Sequence, residues 1–475
     1  MLLCATQVAV AQQGNGYAFR TQGTPPSGAF VPMGNGPADG GYGAYPYYPA
    51  PAAPAYFPYG FPQNVSLPGS VPAVLPPAAG ADLPSAGAGM PGYDIDDDDK
   101  PAKSLFHRET KEHLWAEVDY VMAWFHSESF KGVLATTGST ADLHPGAIGQ
   151  PGTVPLFGQD GINYGMFSGI HAEVGLFLDE DNHFSVEVGG MYVFPNHRQF
   201  TALSDPSGNP LIARPVFSTQ TQQEVAFLDA FPGTASGGIA IETRSELFGA
   251  ELNARVHGYG LKRLHADALL GFRFQRLEET LEIQDQLTPL VAGTFPFSGT
   301  LVNPPGSLAD VDHFHTSNTY YGVQIGGRLS WEEEWFCVSV FGKASLGPND
   351  ERVTISGSST MLTPGAGQTV PGGILALPSN IGEYRRTVLG FVPEAGITLG
   401  VNVSSHVRFN VGYSFLYWNQ VVRPGGQLDR QISPAQVPTD ITFAPVTTPG
   451  SRPQFTFNDE SFWAHTLTFG IEFHY

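Results

Sequence analysis

The chain has 475 residues, of which only 14% are charged, while Gly (57) and Pro (40) are abundant and aromatics reach 12%. Its formal charge of −21 offers no basic stripe to neutralise phosphates, which excludes nucleic acid as a partner. Two cysteines, Cys4 and Cys337, exclude a disulfide framework, and no run reaches the ~18 apolar residues that a membrane-crossing helix requires.

The first stretch, "MLLCATQVAVAQQ", ends in the small-residue pattern Ala9-Val10-Ala11 of a signal-peptidase site. Residues 1–12 therefore read as a signal peptide. It is short and lacks a basic start, as the tail of a longer leader would; the plainer alternative is an apolar disordered start. Residues 13–112 are mostly Pro, Gly, Ala and Tyr, as in "YGAYPYYPAPAAPAYFPYGFP". Such a segment cannot bury enough apolar surface to offset its ordering entropy. It is expected to be a disordered tether, with a reach on the order of 50 Å for ~80 residues. "YDIDDDDKPAK" follows, with Asp96 to Asp99 in a row. It could bind calcium weakly and looks like an enteropeptidase recognition site, but such a run is more often a solvated domain boundary.

From His113 the character changes. "LWAEVDYVMAW" sets Leu114, Ala116, Val118, Tyr120, Met122 and Trp124 on one face and Glu117 and Asp119 on the other. This period of two marks an extended strand. "SGIHAEVGLFL" and "HFSVEVGGMYVF" repeat it, with His171, Glu173 and Glu187 on the polar side. Similar strands are expected near 243–257, 263–281, 317–331, 335–347, 387–402 and 406–419, and at the terminal "FWAHTLTFGIEFHY". That makes about ten, with twelve as the alternative.

Short connections fall at 179–182, 258–262, 332–334 and 403–405, and long ones at about 127–165, 196–242, 282–316, 348–386 and 420–460. Their strict alternation predicts an all-β, membrane-spanning, antiparallel up-and-down barrel over residues 113–475. Short turns would face the periplasm, long loops would face outward, and the apolar side would meet lipid. A soluble sandwich or lipocalin-like barrel would turn the apolar side inward instead. Three features favour the membrane form. The strands exceed the usual soluble length. Aromatics sit near strand ends, as girdles would (Trp115, Trp124, Trp331, Trp335, Tyr417, Trp418, Trp463, Tyr475). Every long loop lies on one side. The last strand must then pair with the first to remove both edges. Its Leu467, Phe469, Gly470, Ile471, Phe473 and Tyr475 read as the signal for the barrel-insertion machinery.

The segment from Ile374 to Pro438, "ILALPSNIGEYRRTVLGFVPEAGITLGVNVSSHVRFNVGYSFLYWNQVVRPGGQLDRQISPAQVP", closely resembles a family of large bacterial outer-membrane β-barrel proteins found in planctomycetes. "PGTVPLFGQDGINYGMFSGIHAEVGLFLD" and "SFWAHTLTFGIEF" resemble that family's early hairpin and its ending. The resemblance covers about residues 113–475. It implies the bacterial outer membrane as location and outer-membrane lipid as partner, and it brings no assigned activity, catalytic residue or cofactor. Where the family would have a basic residue after the "SG" of the second strand, this chain has Ile170 and His171.

A ten-stranded barrel is narrow, so its lumen is expected to be filled by side chains or loops. The polar faces put Glu117, Asp119, His171, Glu173, Glu187, Arg255, Asp267, Arg273, Arg328, Lys343, Glu394, Arg408 and Glu472 inside, where opposite charges would pair. A selective pore lining is the alternative. "DVDHFHT" places Asp310, Asp312, His313 and His315 at the end of a long loop, a weak candidate for a rim hydrolase or a zinc site. In a strand, Asp312 and His313 would point oppositely, and His313 and His315 would share a face. No HExxH, GxSxG, P-loop or CxxC motif occurs. Apolar islands in the long loops, "PLIARPVF" and "VPGGILALP", suggest a lid or plug. The expected role is structural or surface-interacting, with a narrow solute pore as the alternative, no enzymatic activity and no cofactor. The tether would hang in the periplasm and could meet cell-wall or envelope proteins.

Overall fold

The computed structural model describes residues 113–258, 263–444 and 451–475. The expected signal peptide, tether and Asp96–Asp99 run lie outside the described residues, as does most of the 258–262 turn. Ten strands form one sheet: β1 (Leu114–Phe125), β2 (Met166–Phe177), β3 (Phe184–Leu203), β4 (Ala235–His257) and β5 (Leu264–Pro289). The remainder are β6 (Ser307–Glu332), β7 (Phe336–Thr363), β8 (Gly382–Asn402), β9 (Val407–Val422) and β10 (Asp459–His474). Every neighbour in sequence pairs antiparallel, β9 with β10 across a long connection included. The terminal strand closes the barrel on β1 from Trp115 opposite His474 to Phe125 opposite Ala464. The expected ten-stranded closure is therefore observed.

The lower half of the barrel carries the expected polarity. Val188, Leu270 and Val323 are 58%, 59% and 60% exposed and point outward. With Val118, Ile170, Leu252, Val340, Leu399 and Phe409 they form an exposed apolar belt, far larger than water tolerates on a soluble protein. Its upper edge is an aromatic row: Tyr192 packs on Phe194 and Phe248, Phe248 on Phe274, and Phe274 on Tyr321, at centroid distances of 5.3, 6.4, 5.9 and 5.2 Å. Two of the aromatics assigned to girdles are corrected. Trp115 and Trp418 are buried inside, because each falls on the inward parity of its strand.

The expected long loops are only partly loops. β3, β4, β5, β6, β7 and β8 continue through much of 196–242, 282–316 and 348–386, so six strands rise as a wall above the belt. Above Phe274 the polarity reverses while the period of two persists. On β5, Arg276, Glu278, Glu282 and Gln284 face out, and Leu277, Leu281, Ile283 and Leu287 are buried inside. The inner face of the wall packs on protein, and its outer face carries the polar residues. β5 has 26 residues against 12 in β1, which lifts this side roughly 30 Å higher at the usual rise and tilt.

The loops fill the space behind the wall. Ala135–Thr137, Val154–Phe157, Ile212–Ser218, Gln223–Ala230 and Gln431–Ile432 make a small five-stranded sheet. Ile212, Val216, Ile374, Leu375, Leu377, Leu428 and Val437 pack against Ile239, Ile283, Phe314 and Ile355 of the wall. Both apolar islands seen in the sequence lie in this core, as a plug.

Candidate functional site: the filled barrel interior

All of the predicted lumen charges project inward. Nearest the short turns, Arg255 donates to Glu187 (2.6 Å) and lies 3.5 Å from Asp267, which is also 3.3 Å from His257. Arg408 bridges Glu472 and Glu332 at 3.5 and 3.7 Å. Asn410 donates to both Glu117 (2.7 Å) and Glu472 (3.1 Å), and Asp119 bonds His171 at 2.7 Å. Among the described residues Arg328 makes no direct ion pair, and it sits in the field of Glu173, Glu187, Glu117 and Glu472. One level higher, Arg273 bonds Glu251 (2.5 Å) and Glu394, while Lys343 reaches Glu251 at 2.9 Å. Glu251, Asn253, Gln324 and Asn410 were missed as members of this network. The signal was available, since each lies on the inward parity of a strand whose charges were already assigned.

Inward glycines make room for these long groups. A Cβ on Gly470 would stand 1.8 Å from the Asp119 carboxylate, and one on Gly396 would stand 2.5 Å from the Phe341 ring. In a barrel this narrow, a bare backbone on one strand supplies the volume that a side chain opposite occupies.

Above the charges a buried apolar cluster stands beside polar side chains such as Gln275, Ser345 and Asn349. Val121, Ala123, Phe125, Phe167, Val193, Leu247, Leu277, Tyr320, Val392, Trp418 and Phe462 form one buried cluster drawn from every barrel strand but β7. Phe125 stacks on Phe167 at 4.1 Å and packs edge-on to Phe462 at 5.1 Å. This septum is built largely from side chains of the barrel strands, with Ile162 and Tyr164 added from a loop.

Two buried ionic locks fasten the plug above the septum. In the first, Arg423, just beyond β9, makes two bonds of 2.7 Å to Glu279 of β5 and donates to the His126 carbonyl at 3.0 Å. Asn318 of β6 exchanges two 2.8 Å bonds with the backbone of Val422, and Asn349 of β7 donates to the Gln420 carbonyl. Glu128 accepts from the Gly425 amide at 2.6 Å; burial first and then the Glu279 charge push its carboxyl up to about 8. In the second lock, Arg214 donates to Asp285 (2.7 Å) and Asp312 (2.5 Å). Asp312 in turn accepts from the amides of Ile374, Leu375 and Ala376 at 2.7–3.1 Å. Burial and the Asp285 charge hold the nearby Asp229 and Asp310 carboxyls well above the usual range.

The rim candidates are thereby relocated. Asp312 lies within β6, not at a loop end, and is fully buried in the second lock. His313 and His315 share the outer face of the wall, where His315 meets Thr280 at 3.3 Å. The sheet separates the carboxylate from both imidazoles, so they cannot act as a dyad or share a metal ion. Among the described residues, no group of three or more His, Cys, Asp or Glu side chains is placed to hold a metal. The proposed assembly residues line the closing seam: Leu467, Phe469, Ile471, Phe473 and Tyr475 take the outer parity, and Gly470 the inner. The Tyr475 amide and carbonyl bond the backbone of Leu114 and His113 at 2.8 Å.

Comparison with known proteins gives one family match and several slight structural likenesses. A family model described as Putative beta barrel porin-7 (BBP7) matches residues 115–475. No curated protein matches. Among solved structures, the outer membrane protease OmpT from Escherichia coli is similar at 9% identity and a TM-score of 0.32, covering 77% of this chain and 98% of that one. A Pseudomonas aeruginosa FadL homologue is similar at 5% identity and 0.21, with coverages of 76% and 90%. The P. putida toluene transporter TodX is similar at 8% and 0.17, with coverages of 76% and 90%. Likenesses this slight carry no argument about activity.

Proposed function

The chain belongs to the BBP7 family of β-barrel proteins, and from that premise we propose that it is a closed barrel of the bacterial outer membrane with a structural or surface-interacting role. One observation carries the reading: the apolar septum from Val121 to Phe462 crosses the interior, and the plug locked by Arg423 and Arg214 sits on top of it. A water-filled pore needs a continuous polar path, which a dry cluster of aromatic and branched side chains interrupts. The paired charges below the septum then stabilise a packed lumen rather than line a conduit. The reading gives the chain no catalytic role, and it makes outer-membrane lipid the partner of the belt and the insertion machinery the reader of the terminal strand. Cell-wall or envelope material is the partner this reading gives the N-terminal tether, which lies outside the described residues.

The family's description favours a second reading, a narrow solute pore. Planar-bilayer recording with purified, refolded protein separates the two. Silence at neutral pH is the expected result, and stable single-channel steps would replace the closed-barrel reading with the pore.

A further inference from the structure

A cavity of about 600 Å³ opens on the outer side of the barrel across β5 to β8. Its floor is Phe274 and Tyr321, the last pair of the aromatic row, and its walls include Arg276, Arg352 and Arg385. Below it, Val323, Leu346 and Leu389 are exposed members of the apolar belt. The cavity therefore sits where acyl chains end and headgroups begin.

The three guanidiniums are about half exposed and only partly engaged. Arg276 bonds Glu278, while Arg352 and Arg385 share the single carboxylate of Glu383 at 3.2 and 2.5 Å. Asp350 also lines the cavity but accepts from Thr387 at 2.6 Å. Each guanidinium carries five N–H donors in a fork suited to a tetrahedral oxyanion, so donors outnumber the acceptors supplied by the protein. The acidic neighbours set a condition on the ligand, because an anion must carry more than a single diffuse charge to compete with them. A phosphate monoester meets that condition and a zwitterion does not.

We propose that this cavity binds a lipid whose headgroup ends in a phosphate monoester, with its chains laid on Val323, Leu346 and Leu389. The inference rests on the reading above that the belt faces lipid.

The test uses the full chain refolded in neutral detergent and titrated calorimetrically with dihexanoyl phosphatidic acid, dihexanoyl phosphatidylcholine and inorganic phosphate. Phosphatidic acid should bind at least about tenfold more tightly than either of the others. The variant R276Q/R352Q/R385Q should lose about a hundredfold in affinity for phosphatidic acid, and the milder R352Q about tenfold, each with unchanged circular dichroism. Equal binding of phosphatidylcholine, or undiminished binding by the variants, overturns the proposal. Equal binding of inorganic phosphate overturns the lipid and leaves a free-anion site. Insertion into phosphatidylcholine vesicles, read by protease protection, keeps the two readings apart. Protein that inserts yet ignores phosphatidic acid fails the headgroup site alone, whereas protein that does not insert fails the membrane reading beneath it.

Discussion

Arg423 and Glu279 face each other through two parallel bonds of 2.7 Å with no exposed side-chain surface on either residue. One comes from the loop that caps the barrel and the other from the tallest part of its wall. Removing either alone leaves a buried charge without its partner, which costs about 3–5 kcal/mol. Arg423→Met and Glu279→Gln should each lower the unfolding free energy by that much. The double variant should recover a large part of the loss, and a double-mutant cycle on equilibrium unfolding checks this.

Asp312→Ala removes the acceptor for three consecutive amides and one of the two carboxylates on Arg214. The apolar segment around Ile374–Leu377 should detach from the wall while the barrel below persists. Limited proteolysis should then cut within 370–380, a stretch expected to resist in the parent protein. Continued resistance would show that apolar packing alone holds the segment.

Glu128 gives the outer half a pH dependence. Its folded carboxyl titrates at about 8, against an ordinary value of 4.5, because it is buried beside Glu279. The folded state thus holds a proton that the unfolded chain releases. The contribution is fully present below about pH 4.5 and is lost as pH rises towards 8, by at most about 1.4 kcal/mol per pH unit. Glu128→Gln should flatten the decline over that window in a thermal unfolding series. An unchanged slope would move the dependence to other raised carboxyls, Asp229 and Asp310 among them.

Gly470→Ala brings a methyl group against Asp119, which is itself tied to His171, and within 3.0 Å of the Val118 carbonyl. The obstruction lies on the seam between β1 and β10, at an overpacking cost of about 1–3 kcal/mol. The variant should retain its secondary structure but lose much of the heat-modifiable gel shift that marks a closed barrel. Gly342→Ala, within β7 with open space around it and ordinary backbone geometry, serves as the control for substituting a glycine as such.

The barrel was legible because lipid outside and charge inside imprint a period of two with constant sign. Glu173, Lys343 and Glu472 could all be placed inward from parity alone. What escaped was the region where that sign inverts. Leu281, Ile283 and Asp285 alternate as regularly as Leu270 and Phe272, but their apolar members point in, so a rule built on the belt reads them as loop. Arg214 and Arg423 were missed for a different reason. Each lies in irregular chain or in the plug, and its carboxylates are 71 and 144 residues away in sequence. Trp115 and Trp418 show the limit of composition, since a tryptophan near a strand end belongs to a girdle only on the outer parity.

The six tall strands pass from the short turns to the outer region on long ladders, with an irregularity between Val193 and Asn196 on β3. Tension applied to the outermost tips therefore travels as shear along those ladders straight through the bilayer, where many bonds must give way together. On the side of β1, β2, β9 and β10 the same pull meets loops, which straighten one contact at a time. The molecule is stiff along one flank and yielding along the other, so what it can hold on to depends on which flank is grasped.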